Sequence, residues 1–461
     1  MICFVRFDTV TTHGSGPFAR FVGRILKQSG FRVSFQTKKV KGESFVNVIG
    51  MKGKGSRPFL ICSHLDTVPP GEKQKWTKTS GNPWKAKAKG GRLYGLGTAD
   101  DKGSLLAMIM AAEQMSSLRL KRPLMVMGTF GEESGMGGAL HFVNRWKGPK
   151  PCCALVGEPT SLGITYRHKG LGVIEIELEC SQDFTPSPLS SPPRRGRGKG
   201  EGDSRSGKSI SFEFKGKQAH SSRPHLGENA IEKAMEFLRR NRRTSRRLVS
   251  IDGGSAANLI PAHAKLTFTG DRSQKFDLSG PLLESYQAVR SIVAGFEGRK
   301  DSSFYPSTIT SNFGIARTAG NVTKLVFDFR LLPGQSIEVI HRNLKQRLSK
   351  RLSQFKKFRW RMKIERSNPP LDLELDHPFI KTVSALLKKR GLAASLTVKP
   401  SCTEAGVYHR WGVPSVIFGP GKADGNIHAP NESIRIREIE QAVRIYQDAI
   451  QTFCVEGKPC F

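Results

Sequence analysis

Short apolar runs that stop at acidic or imidazole side chains recur along the chain, and this pattern constrains its fold more than any other feature. The run "FLICSH" ends on His64, and Asp66 follows two residues later. Residues two apart on a strand point to the same side, so the two side chains are expected to project together. Ligands of open α/β sheets bind beyond the carboxyl ends of the strands. The stretch therefore predicts either a ligand site or, more simply, a histidine paired with an aspartate at a loop start.

Two further apolar runs end in the same way. "PLMVMGTF" (123–130) leads into Glu132 and Glu133, and "CCALVGEPT" (152–160) contains Glu158. Stretches with helical periodicity separate these runs. Strands that alternate with helices indicate an α/β fold with a mainly parallel central sheet.

The pattern changes after "HKG" (168–170), where alternating strands and amphipathic helices follow one another, and the earlier pattern returns near residue 370. We therefore predict a catalytic domain formed by residues 1–170 and 370–461, with an α+β domain inserted at 171–369.

The formal net charge of +35 raises the question of a nucleic-acid partner. The charge is partly concentrated in two segments, 183–208 and 239–247. The first is rich in Pro, Arg, Gly and Ser and has almost nothing that can pack, which predicts a disordered insert. No nucleic-acid-binding motif accompanies either segment. We therefore favour solvated surface, and salt-sensitive DNA binding by the insert is the alternative.

Membrane and export signals are also missing from the sequence pattern. No apolar run reaches the ~20 residues of a membrane span. The first residues, "MICFVRFDTVTTHG", lack the long apolar stretch and cleavage site of a signal peptide. These features predict a cytoplasmic protein with no membrane partner.

Five segments that end strands or begin helices deliver side chains that bind metals well: His64, Asp100, Glu133, Glu158 and His428. Each has an ordinary interpretation of its own, such as a helix cap for Asp100. Together, two imidazoles and three carboxylates suit zinc. Five ligands are too many for one open tetrahedral site, so they predict two metal ions that share a bridging carboxylate.

The adjacent carboxylates of "GEES" cannot easily bind one metal position together. We assign Glu133 as the ligand and Glu132 as the general base that takes a proton from water and passes it to the leaving amine. Asp66 is expected to orient the imidazole of His64 without binding a metal ion itself.

Seven motifs carry a resemblance to a known family: "SHLDTVP", "GRLYGLGTADDKGSLLA", "FGEESGMGGA", "VGEPTSL…HKG", "GKQAHSSRPHLGENAI", "CTEAG" and "FGPGKADGNIHAPNE". The chain resembles the M20 family of di-zinc hydrolases over nearly its whole length, apart from the insert. Within the family the motifs look most like those of the acetylornithine deacetylases, with the succinyl-diaminopimelate desuccinylases as close relatives. The resemblance implies a zinc-hydrolase catalytic domain and an inserted lid domain.

The resemblance also implies roles for single residues. One zinc would be bound by His64, Glu158 and Asp100, and the other by Glu133, His428 and the same Asp100. Co²⁺ or Mn²⁺ would serve as substitutes. His220 of the lid would stabilise the oxyanion. Arg330 and Asn258 match positions that help to hold the substrate carboxylate or the intermediate.

Two departures from the family pattern leave alternatives open. Asp101, in place of the usual apolar residue, is expected to add negative charge beside the metals. The lid offers two versions of one strand pair, at 252–272 and 310–334, so either Arg272 or Arg330 would contact the substrate. The long lid also leaves open whether the protein is a monomer or a homodimer.

The resulting hypothesis is metal-dependent hydrolysis of the amide bond of a small N-acyl amino acid, as in N-acetylornithine deacetylation. A desuccinylase or an M20 dipeptidase or carboxypeptidase is the alternative. A non-catalytic binding protein on the same fold would be expected to lack the base or a ligand, whereas all these positions are filled.

Overall fold

The computed structural model describes residues 1–40, 42–181, 209–241, 246–270, 276–296 and 298–459. The predicted disordered insert at 183–208 lies outside these residues, and so does Arg272. The chain divides into two compact units, one of residues 1–169 and 368–461 and one of residues 170–367. That these units act as catalytic domain and lid stays a prediction.

The secondary structure is as follows. The strands are β1 Arg32–Val40, β2 Glu43–Lys52, β3 Phe59–His64, β4 Lys87–Lys89, β5 Arg92–Tyr94, β6 Leu124–Thr129, β7 Cys153–Val156, β8 Ile164–His168, β9 Gly170–Cys180, β10 Ile210–Lys215, β11 Arg247–Gly253, β12 His263–Thr269, β13 Thr310–Ala319, β14 Val322–Leu331, β15 Phe358–Asn368, β16 Leu371–Asp372, β17 Leu396–Lys399, β18 Ser415–Phe418 and β19 Ser433–Arg435. The helices are α1 Ile2–Val5, α2 Gly16–Gln28, α3 Lys102–Gln114, α4 Gly137–Arg145, α5 Ala230–Arg240, α6 Ser279–Ala294, α7 Ile337–Leu352, α8 Pro378–Lys389, α9 Ala405–Arg410 and α10 Ile436–Ile450.

The main sheet of the first unit is mixed. Its strand order is β1-β2-β6-β3-β7-β18-β8-β16, with β17 paired to β8. The four neighbours β6, β3, β7 and β18 are parallel. The pairings of β1 with β2 and of β2 with β6 are antiparallel. Strand β8 pairs antiparallel with β18 and β16 and parallel with β17. The α/β prediction is confirmed, and the parallel strands form the centre of the sheet. The edge at β1–β2 is antiparallel because a two-residue connection permits only that pairing.

Strand β3 shows why this sheet is covered on both faces. Phe59 and Ile61 belong to the core that includes α2, α3, α8 and α10. Leu60 and Cys62 belong to a second core with α4 and α9 on the opposite face. A continuous apolar run that is buried on both sides is typical of a central parallel strand. The helices thereby leave the strand ends as the place where polar side chains gather.

The second unit contains a sheet of order β10-β12-β11-β13-β14-β9-β15. The pairings of β10 with β12, β12 with β11, β11 with β13, β13 with β14 and β14 with β9 are antiparallel. Helices α5, α6 and α7 contribute to its core, together with residues such as Ile176 on β9 and Phe327 on β14. This is the α+β organisation that the sequence predicts.

Within the described ranges, no helix is both long enough and apolar enough to cross a membrane.

Candidate active site

The central parallel strands bring most of the predicted ligands to one edge of the sheet. His64 is the last residue of β3 and lies beside Thr129, the last residue of β6. Glu133 follows β6 four residues later, and Glu158 follows β7 two residues later. Adjacent parallel strands end on the same side, so the three side chains converge although they are far apart in sequence.

Asp100 lies between two imidazoles. Its Oδ1 is 3.0 Å from His64 Nε2, and its Oδ2 is 3.2 Å from His428 Nε2. His428 Nε2 is also 3.2 Å from Glu133 Oε1. Burial alone would raise the pKa of Asp100, but the hydrogen bonds from His428 and His64 hold it well below its usual range. A carboxylate that presents one oxygen to each imidazole is the arrangement expected of a bridging ligand.

The donor atoms fit metal ions. Single ligand atoms of His64, Asp100 and Glu133 lie within 4.8 Å of one another, and so do those of His64, Glu132 and Glu158. Imidazole nitrogen and carboxylate oxygen are donors found in catalytic zinc sites. The second group includes Glu132, which the sequence assigns as a base. The predicted division between ligand and base therefore stays a prediction.

The imidazole of His64 has a defined orientation. Its Nδ1 lies 2.9 Å from the backbone oxygen of Asp66 and donates to it, which leaves Nε2 directed at Asp100. Burial lowers the pKa of His64, but the hydrogen bonds to Asp100 and Asp66 raise it more. The orienting group nearest to the ring is thus the carbonyl of Asp66, while its carboxylate Oδ1 is 3.6 Å away.

The Asp66 carboxylate holds the loop after β6. The backbone N–H of Glu132 donates to Asp66 Oδ1 at 3.0 Å, and that of Glu133 donates to Oδ2 at 3.2 Å. Burial, followed by the negative charge of Glu158, raises the pKa of Glu132. A raised pKa suits a carboxylate that must take up a proton near neutral pH.

The carboxylate of Asp101 is hydrogen-bonded by two neighbouring hydroxyl groups. Its carboxylate accepts hydrogen bonds from the hydroxyls of Ser63, at 2.6 Å, and Ser104. Burial raises the pKa of Asp101. The two hydroxyls therefore compensate for part of the extra charge that the sequence leads us to expect here.

Three charged residues at the site were not singled out in the sequence: Lys399, Glu432 and Glu404. Glu404 Oε2 accepts the hydroxyl of Thr129, the last residue of β6, at 2.7 Å. Lys399 Nζ lies 2.8 Å from Glu158 Oε2. The carboxylate of Glu432 accepts the backbone N–H groups of Gly97, Ala99 and Asp100 at 2.9, 2.8 and 3.1 Å. Glu432 belongs to the same "GNIHAPNES" segment as His428, and this shared segment is the one available signal. The position of Lys399 carries no such signal.

Three predicted residues belong to the second unit. His220 Nδ1 lies 2.7 Å from the Ser222 hydroxyl oxygen and 3.2 Å from the backbone nitrogen of Ser222, so Ser222 holds this side of the ring and leaves Nε2 as the other polar atom. Arg330 donates from Nε and Nη2 to Asp328, each at 2.9 Å, and is buried with it. The Asn258 carbonyl accepts the N–H of Ser221 at 2.9 Å.

Comparisons with known proteins agree with this architecture. Residues 60–452 match the model described as peptidase family M20/M25/M40. An acetylornithine deacetylase of Proteus mirabilis (strain HI4320) is 25% identical over 462 residues, which cover 98% of this chain and 93% of that protein. The crystal structure of an aminoacylhistidine dipeptidase from Vibrio alginolyticus gives a TM-score of 0.60 at 16% identity, with coverage of 96% and 95%. An M20 family metallo-carboxypeptidase from Sulfolobus solfataricus gives 0.59 at 17% identity, with coverage of 97% and 96%.

The family match and the curated relative together define the class of this protein, which is a metal-dependent hydrolase that acts on amide bonds. The chain belongs to peptidase family M20/M25/M40, because the family model matches most of its length. The resemblance read from the motifs is thereby confirmed. The structural likenesses, both at low identity, show the shared fold.

Proposed function

We propose that the chain uses two zinc ions to hydrolyse the amide bond of a small N-acyl amino acid, with N-acetylornithine as the leading substrate. The observation that carries this proposal is the Asp100 carboxylate between His64 and His428. The identity to the Proteus mirabilis acetylornithine deacetylase supports the choice of substrate. The proposed ligands are those of the sequence prediction: His64, Asp100 and Glu158 for one ion, and Asp100, Glu133 and His428 for the other.

The bound ions would supply Lewis-acid chemistry that makes water a better nucleophile and polarises the scissile carbonyl. Glu132 accepts the proton of the attacking water and delivers it to the departing amine. Asp66 keeps Glu132 in place through the backbone N–H bond. Because Asp66 also accepts from His64 through its carbonyl, one residue orients both the base and a ligand.

We further propose that His220 donates from Nε2 to the developing oxyanion while its Nδ1 is held by Ser222. Arg330 and Asn258 are proposed to help bind the substrate carboxylate or the intermediate. Asp328 already occupies Nε and Nη2 of Arg330. Direct binding by Arg330 would therefore use the remaining guanidinium nitrogen.

The experiment that tests the proposal is a hydrolysis assay on zinc-loaded protein with measured metal content. The substrates are N-acetylornithine, N-acetylmethionine, N-succinyl-diaminopimelate and several dipeptides. We expect release of free amine from one acyl amino acid and a loss of about 10²-fold or more in Glu132→Gln. The matched control is Glu113→Gln, since Glu113 is exposed on α3.

The outcomes separate the alternatives. Preference for N-succinyl-diaminopimelate would assign a desuccinylase, and cleavage of dipeptides alone would assign a peptidase. Equal rates in Glu132→Gln and wild type would contradict the assigned base. Light scattering on the same preparation decides between monomer and homodimer.

A further inference from the structure

Lys399 brings a positive charge into direct contact with a proposed metal ligand. Its Nζ is 2.8 Å from Glu158 Oε2, and the side chains of the two residues are only 22% and 8% exposed. The charges of Asp100 and Glu132 also act on this ammonium group. An ion pair with so little exposure is screened by solvent much less than a surface pair.

The backbone around Lys399 is held in place by neighbouring strands, so the position from which its side chain reaches Glu158 is fixed. Lys399 is the last residue of β17 and lies opposite His168 in the parallel pairing with β8. Its carbonyl accepts the N–H of Lys169 at 3.1 Å. The following turn is fixed as well, because the N–H of Thr403 donates to His168 Nε2 at 3.3 Å. Both ends of the segment that carries the ammonium are thereby attached to the end of β8 and to the residue that follows it.

We propose that Lys399 is a positioning residue that holds one carboxylate oxygen of Glu158, so that Glu158 offers a metal ion its other oxygen alone. The inference rests on the proposed function, because it assumes that Glu158 is a ligand. A carboxylate with both oxygens available can bind one ion through both of them. The hydrogen bond at Oε2 removes that option and keeps the ion's coordination number lower.

Two measurable consequences follow. A lower coordination number preserves a position for water or substrate, as catalytic metal sites require. A fixed ammonium near a divalent cation also repels it, so the Glu158 site is expected to bind its ion more weakly than it would without Lys399. Lys399 thus favours an open site at the expense of metal affinity.

The test uses the full chain loaded with Co²⁺, whose visible absorption becomes weaker as its coordination number rises. Lys399→Met frees Oε2 of Glu158, and we expect a weaker Co²⁺ band and about tenfold tighter binding of one of the two ions. Lys399→Arg keeps both the charge and the donor, so we expect it to retain the wild-type spectrum. Lys388→Met is the control, because Lys388 is exposed on α8.

Thermal unfolding of each variant shows whether it is folded before the spectra are compared. An unchanged band and unchanged affinity in Lys399→Met would overturn the inference while leaving the proposed function in place. A Lys399→Arg spectrum that matches Lys399→Met would overturn it as well. Failure of the wild type to bind Co²⁺ at all would instead remove the metal site, and the inference with it.

Discussion

Replacement of Asp66 by asparagine tests the two hydrogen bonds by which the Asp66 carboxylate holds the loop after β6. The aspartate is 2% exposed and accepts one backbone N–H on each carboxylate oxygen, from Glu132 and from Glu133. Asparagine keeps one acceptor oxygen and places an NH₂ group against the other N–H. One charge-assisted hydrogen bond is therefore lost, and the second is weakened by the loss of charge.

A hydrogen bond to a charged group contributes about 1.5–3 kcal/mol. We therefore expect Asp66→Asn to lower the free energy of unfolding of the metal-free protein by about 2–3 kcal/mol. Because the same bonds place the proposed base, the kcat of the zinc-loaded enzyme should fall by about 10²-fold. The KM should change much less, since Asp66 is not assigned to substrate binding.

The assay combines urea denaturation with steady-state kinetics on the same preparations. Asp376→Asn serves as the control, because Asp376 is exposed and the substitution is chemically identical. A free energy of unfolding within about 0.5 kcal/mol of wild type, the range of ordinary surface substitutions, would refute the reasoning. Loss of stability with unchanged kcat would keep the hydrogen bonds but reject their role in placing Glu132.

Three further substitutions have defined outcomes. Glu432→Ala leaves three backbone N–H groups around Asp100 without their acceptor, so we expect a 10–100-fold loss of zinc affinity in chelator competition. Unchanged affinity would show that the loop at residues 97–100 keeps its conformation without Glu432. Burial raises the pKa of Glu404 from its ordinary 4.5 to about 7, so its contribution to stability is present below pH 4.5 and is lost as the pH rises through 7. The free energy of unfolding of metal-free Glu404→Gln, measured relative to that of the metal-free wild type by urea denaturation, should therefore rise by about 2 kcal/mol from pH 5 to pH 8. A difference that does not change with pH would contradict the raised pKa. His220→Ala should lower kcat by about 10²-fold with unchanged zinc content, whereas full activity would exclude the oxyanion role.

The convergence of the site at one sheet edge was predictable because it depends on a local pattern. Apolar runs that end at His64, before Glu133 and before Glu158 identify strands and their polar ends without any knowledge of the fold. Their proximity then follows from the parallel arrangement of β3, β6 and β7. The direction of β8 was not predictable, since a short apolar run has the same pattern whichever way the strand lies.

The supporting contacts were beyond sequence reasoning for a different reason. Lys399 and Glu158 are 241 positions apart, and Glu432 and Ala99 are 333 positions apart. Neither pair has a periodicity or a spacing that links its members. The sequence assigns Asp66 to His64 because the two are only two residues apart, and the Asp66 carboxylate does lie 3.6 Å from His64 Nδ1. Its hydrogen bonds to the loop after β6 are an additional contact that sequence proximity does not indicate.

The charge of the whole chain gives no guide to the charge of the site. Although the net charge is +35, the site gathers buried or half-buried carboxylates. Burial raises the pKa of Glu132, Glu133 and Glu404, so their ionised forms are disfavoured in the metal-free fold. A divalent cation would reverse this, because it stabilises the ionised forms and releases protons as it binds. The same carboxylates that lower the stability of the metal-free protein would therefore stabilise the metal-bound protein. Metal affinity would then depend on pH through the residues that surround the ligands as well as through the ligands themselves.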